Sequence, residues 1–233
     1  MELKRITDRI CYYPFEPERD RPVLGYIRGD RLSLAVDAGH SMEHVDEFYD
    51  ALDEADLPRP SLTAITHWHW DHTLGMHHIS GLSIAGKRTN QYLKGIINGL
   101  GEKAADYFLE LDETIRAEYA TGQPLVVVSA DIEFEGKMEI DLGGLHVQLF
   151  SAESPHTDDS VLIYVPEEKC LFLGDSISGV YPTWEVDNVM MERLIMTVER
   201  IDFEYALAGH WDVMTREELF RRLRESMTGG TDL

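Results

Sequence analysis

Three histidines and an aspartate fall within six consecutive residues, His67-Trp68-His69-Trp70-Asp71-His72, directly after the apolar stretch SLTAIT. That stretch reads as a short strand, and a strand that breaks sharply into polar residues is where α/β folds place their chemistry. His67 and His69 alternate as in an extended segment, so both can face one point. Asp71 and His72 come after the turn and can address a second point. Gathered without a ligand, these side chains would leave buried polar atoms unsatisfied. The pattern arises by accident roughly once in several hundred chains of this composition. Nitrogen and oxygen donors with no cysteine suit zinc, iron or manganese.

One cluster does not fill two metal positions, so further ligands are expected at other strand ends. His156 lies in SAESPHTDDS, between the predicted strands LHVQLFS and SVLIYVP. Asp175 ends KCLFLGD and His210 ends YALAGH. Their placement after successive strands predicts that they complete the site.

The remaining chain supplies a frame. LKRITDRICYY, VLGYIRGD and RLSLAVDAG read as antiparallel strands, with Gly29-Asp30 as a hairpin turn. Ser41 is expected to cap a helix over SMEHVDEFYDALDEADL, whose Val45, Phe48, Tyr49, Leu52 and Ala55 share a face. Residues 87 to 121 show helical spacing in two stretches, read as a two-helix insertion too short for a core of its own. From Pro124 the chain is expected to return to strands, PLVVVSA first, followed later by helices near 187–201 and 215–228. The order predicts an α/β (α+β) chain, a four-layer αβ/βα sandwich, with 1–233 forming a single domain.

HxHxDH, then a His before a Thr and a Ser-bearing strand, then LGD, then GH after a strand, together resemble the metallo-β-lactamase superfamily. The resemblance implies that His67, His69 and His156 hold a first metal and that Asp71, His72 and His210 hold a second, with Asp175 bridging both. It implies that Asp37, in LSLAVDAG, is a buried carboxylate orienting a ligand histidine. It also implies a dinuclear hydrolase using a metal-bridging hydroxide, with two divalent ions, zinc first and iron or manganese also suited. Asp71 is placed to accept and return a proton. The same fold supports a mononuclear iron dioxygenase of sulfur compounds, which uses a reduced ligand set, and a non-catalytic metal-binding scaffold is a third reading.

The aromatic residues Trp68 and Trp70 inside the loop, with Ser178, Tyr181 and Trp184 after Asp175, are expected to line a substrate pocket. Twenty-one basic against 43 acidic residues give a formal charge of −22, which argues against nucleic acid as substrate. What the resemblance then implies as substrate is a small ester, thioester, lactone or related molecule. Cys11 and Cys170 form no CxxC pair and read as structural thiols. The amino terminus lacks the apolar core of a signal peptide and no stretch reaches transmembrane length, so a cytoplasmic location away from membranes is expected. Ile96, Ile97, Leu100, Phe108, Leu109 and Leu111 of the insertion carry apolar surface expected to cover the site or to form a homodimer contact.

Overall fold

The computed structural model describes residues 1–227. A first sheet runs in spatial order through β1 (Lys4–Arg5), β2 (Ile10–Tyr13), β3 (Leu24–Arg28), β4 (Ser33–Val36), β5 (Leu62–Ala64), β6 (Leu82–Gly86) and β7 (Ile132–Phe134). It is antiparallel up to β4 and parallel from there on. A second sheet is built from β8 (Lys137–Asp141), β9 (His146–Ser151), β10 (Val161–Val165), β11 (Cys170–Gly174), β12 (Tyr205–Ala208) and β13 (Met214–Thr215). In it only β11 and β12 pair in parallel. The chain passes from one sheet to the other at Gly136, whose φ of +73° suits a residue without a side chain.

Between the sheets, Ile27, Leu34, Val36 and Ile84 pack against Leu149, Val161, Ile163 and Phe172. Helix α1 (Met42–Glu54), capped by the Ser41 hydroxyl accepting from the His44 N–H, covers the first sheet with Val45, Phe48 and Leu52. On the opposite side α6 (Asn188–Glu199) and α7 (Arg216–Met227) bury Met191, Leu194, Leu219 and Leu223 on the second sheet. Helix, sheet, sheet and helix thus form the four layers expected. Both cysteines are free and buried. No helix among the described residues is long and apolar enough to cross a membrane.

Between β6 and β7 lie α3 (Lys87–Leu100), α4 (Ala104–Leu111) and α5 (Glu113–Glu118). Asp112 splits what reads as one helix, because its carboxylate accepts from Thr114 N–H and starts a new one. Phe108 and Ile115, with Ile96, Leu109 and Leu111, pack on Trp70 and Leu74. The apolar side of these helices therefore lies against the segment that carries the metal-binding pattern, which itself includes the short helix α2 (Trp70–Thr73).

PLVVVSA is not a strand. Asn90 brackets Ala130 instead, accepting from its N–H at 2.7 Å and donating to its carbonyl at 3.4 Å, and Ser83 and Asp131 exchange similar bonds. Side chains here take the hydrogen bonds a sheet neighbour would supply. LKRITDRICYY also folds back on itself, pairing Lys4 with Tyr12.

Candidate metal centre

Four strands deliver the candidate ligands to one edge of the sandwich. After β5 the chain turns through His67 and His69 into α2, and the Thr73 hydroxyl pins that turn by donating to the carbonyls of Trp68 and His69. His156 follows β9, Asp175 directly follows β11, and His210 comes two residues after β12. All seven sequence-predicted ligands meet there, in two groups. His67, His69 and His156 form one, and Asp71, His72, Asp175 and His210 the other, with the ligand atoms of each group within 4.8 Å of one another.

Hydrogen bonds outside the cluster fix which ring atoms face inward. His156 Nδ1 donates to the Gly179 carbonyl at 2.7 Å, and His72 Nδ1 donates to Asp37 at 2.8 Å. His67 Nδ1 meets the Thr66 hydroxyl at 3.1 Å, and His210 Nδ1 faces Asp20 at 3.5 Å. Each Nε2 therefore turns its lone pair to the centre. The Nε2 atoms of His67 and His156 stand 3.1 and 2.9 Å from His69 Nδ1. Those of His72 and His210 stand 3.1 Å from Asp71 Oδ2. Asp175 reaches both groups, with Oδ2 3.1 Å from His210 and 3.8 Å from His156.

Such an arrangement fits cations. His72 Nε2 and Asp175 Oδ1 are buried with no hydrogen-bond partner, the condition of atoms awaiting a Lewis acid. Burial and the neighbouring His156 press the His69 imidazole down to about 3, so it stays neutral and able to donate. In the other group burial opposes protonation, yet Asp175 and Asp71 draw His210 up to about 10. A bound cation would take the place of that proton.

Asp37 holds this arrangement from behind. It accepts from Thr66 N–H at 2.8 Å, from the Thr66 hydroxyl and from His72 Nδ1. Its φ is +65°, a conformation that Asn also tolerates. Asp37→Asn is thus expected to keep the backbone while weakening metal affinity about 10–100-fold, as read by competition with a chelator. Unchanged affinity would remove Asp37 from this role.

The metallo-beta-lactamase superfamily model matches residues 24–212, which span both groups. The chain belongs to the metallo-β-lactamase superfamily. It is accordingly a metal-dependent hydrolase, and the superfamily's use of divalent metals agrees with the two clusters. Among curated relatives, acyl-coenzyme A thioesterase MBLAC2 of Gallus gallus is 25% identical over 225 residues, covering 89% of this chain and 78% of the relative. The Homo sapiens protein of the same name is 22% identical over 234 residues, covering 89% and 79%. A metallo-beta-lactamase from Pontibacter korlensis superposes with a TM-score of 0.65 at 15% identity, covering 100% of this chain and 99% of its own. A double mutant of the sec-alkyl sulfatase PisA1 gives 0.73 at 13% identity, covering 97% of this chain and 41% of its own. At such identities the structural likeness speaks to the fold alone.

Around this metallo-β-lactamase centre the aromatic residues take distinct places. Trp184 lies parallel to His156 within 19°, with ring centroids 6.2 Å apart, and is 57% exposed. Its φ is +56°, a costly backbone for a tryptophan, which suggests a functional constraint. Tyr181 packs edge-on to Trp184 and to Trp70, and its hydroxyl donates to Asp112. Trp70 is buried beneath the inserted helices, while Trp68 packs on His69 and Tyr92. Ser178 contributes a backbone N–H to the Asp175 carbonyl, closing the turn after β11.

Three contributors escaped the sequence reading. Thr66 couples Asp37 to His67, and Asp20 stands behind His210. At Gly209 a Cβ would sit 2.2 Å from Asp175 Oδ1, so only glycine fits beside that carboxylate. Gly209 was visible in the GH pair and Thr66 as neighbour of His67; nothing in the local sequence marked Asp20.

Proposed function

We propose that this chain hydrolyses acyl-coenzyme A thioesters with two divalent cations, zinc first among them, as one domain in which α3–α5 form an insertion. The observation that carries the reading is Asp175, whose carboxylate lies within reach of both groups of candidate ligands. The choice of thioester follows the MBLAC2 relatives, whose named activity this is.

Bound cations supply a water of lowered pKa and polarise the carbonyl of the substrate. In this reading Asp71 moves the proton; its position in the second group, 3.1 Å from both His72 and His210, supports the assignment. Water yields that proton to Asp71 as its oxygen bonds to the acyl carbon. The carbon–sulfur bond then breaks, and Asp71 returns the proton to the thiolate. Trp184 and Tyr181 form the wall past which the acyl chain enters. Trp184→Ala is expected to raise KM for a long-chain acyl-CoA about tenfold, with kcat less affected, through lost apolar contact.

Metal analysis and turnover of reconstituted protein over thioesters, esters, lactones and phosphodiesters test the proposal. Two metal equivalents per chain and preferred thioester hydrolysis are expected. At most one tightly bound equivalent would sink the dinuclear reading, and activity confined to another ester class would sink the choice of substrate.

A further inference from the structure

A chain with a formal charge of −22 repels a polyanion such as coenzyme A unless some part of its surface reverses sign near the centre. The candidate on the rim by Trp68 is already committed: Arg88 is bound by Asp158 at 2.8 Å and by the Tyr92 hydroxyl, and Lys87 is bound by Glu135. Helix α7 differs. It carries Arg216, Arg221, Arg222 and Arg224 within nine residues.

We propose that the cleft between the loop after β12 and helix α7 is the subsite for the phosphorylated nucleotide end of a coenzyme A thioester. This rests on the thioesterase reading above. The cleft is about 330 Å³, and His210, Trp211, Arg221 and Arg222 are among its walls. That volume falls in the ~300–1,000 Å³ range of small-ligand sites.

Two arginines face two carboxylates inside it, one of them neutralised by Lys4. Its carboxylates have partners within the protein: Asp212 is bound by Lys4 at 2.6 Å and by the Tyr12 hydroxyl at 3.0 Å. Glu218 accepts from the N–H and hydroxyl of Thr215. Of its cations, Arg222 has no carboxylate partner among the described residues, while Arg221 has one. The Arg222 guanidinium lies over the Trp211 ring at 4.3 Å, a cation–π contact that consumes none of its N–H donors. Arg221 meets Glu225 at 3.4 Å as an exposed i,i+4 pair, which a phosphate can outcompete. His210 belongs to both the cleft wall and the second ligand group. The cleft and the second ligand group thus meet at His210.

Calorimetric titration of the metal-loaded chain with adenosine 3′,5′-bisphosphate tests the subsite without any variant; binding that weakens with added salt is expected. In the double variant Arg221→Ala, Arg222→Ala that binding is expected to fall about tenfold or more. The preference of the wild type for acyl-CoA over the same acyl-pantetheine thioester, read as a KM ratio, should vanish with it. Circular dichroism checks that the variant is folded. Failure of the wild type to bind the bisphosphate, or a folded variant that keeps both binding and preference, overturns the subsite. Acyl-CoA hydrolysis indifferent to both arginines leaves the thioesterase reading standing and removes the subsite. Arginine-dependent nucleotide binding with no turnover of any acyl-CoA does the reverse.

Discussion

Asp175→Ala is expected to lower turnover by about a thousandfold or more, the scale of losing several kcal/mol of transition-state stabilisation. The metal content should fall with it, from two equivalents to one or fewer. Asp175 stands 3.1 Å from His210 and 3.8 Å from His156, so under the proposed dinuclear reading its loss removes a donor shared by both positions. Circular dichroism and the unfolding midpoint should remain close to wild type, because the side chain faces the cluster and not the apolar core between the sheets. A variant that retained two metals and most of its activity would show that the carboxylate does not join the two positions.

The second large effect concerns stability. Arg21 is fully buried and donates through Nε to both carboxylate oxygens of the equally buried Glu118 at 2.9 Å, with Nη2 in ion-pair contact at 2.9 Å, and through Nη1 to Glu47 at 2.9 Å and Glu16 at 3.2 Å. The Ser41 hydroxyl also donates to Glu118. Arg21→Met leaves these carboxylates facing one another without their central cation, and the expected loss is about 3–5 kcal/mol in denaturant unfolding. The double replacement Arg21→Met, Glu118→Leu should recover part of it, since an apolar pair leaves no uncompensated charge. Equal losses in the single and double variants would mean that shape, and not charge, holds the site. Partial burial disfavours the charged form of Glu47, but Arg21 outweighs it and holds the carboxyl below its ordinary 4.5. The stability this contributes is complete above pH 4.5 and fades as pH falls through the lower folded value.

How much of this was legible in the sequence follows from how each contact is encoded. The seven candidate ligands announce themselves because their chemistry is rare and because each sits just after a recognisable strand. Trp184 and Tyr181 could be suspected from proximity to Asp175, but the left-handed backbone that turns Trp184 over His156 has no local signature. Arg21 and Glu118 are 97 residues apart, and in sequence both read as ordinary surface charges. The stretch 126–130 misleads because valines favour strands on average, while Asn90 and Ser83 supply hydrogen bonds in place of a neighbouring strand. Asp112 misleads similarly, since helical spacing continues across it while its side chain ends one helix and begins another.

Each group of candidate ligands takes members from both sheets: His67 and His69 with His156, and Asp71 and His72 with Asp175 and His210. Cations seated there would act as stitches across the seam between the halves of the sandwich. Their departure would require the seam to part, so metal exchange should be slow and governed by local opening of the chain rather than by ligand affinity alone. The same geometry forbids a half-folded chain from holding a complete set, so both sheets must form before either position can be filled. The rate at which a chelator strips the protein would then report the breathing of the sandwich itself.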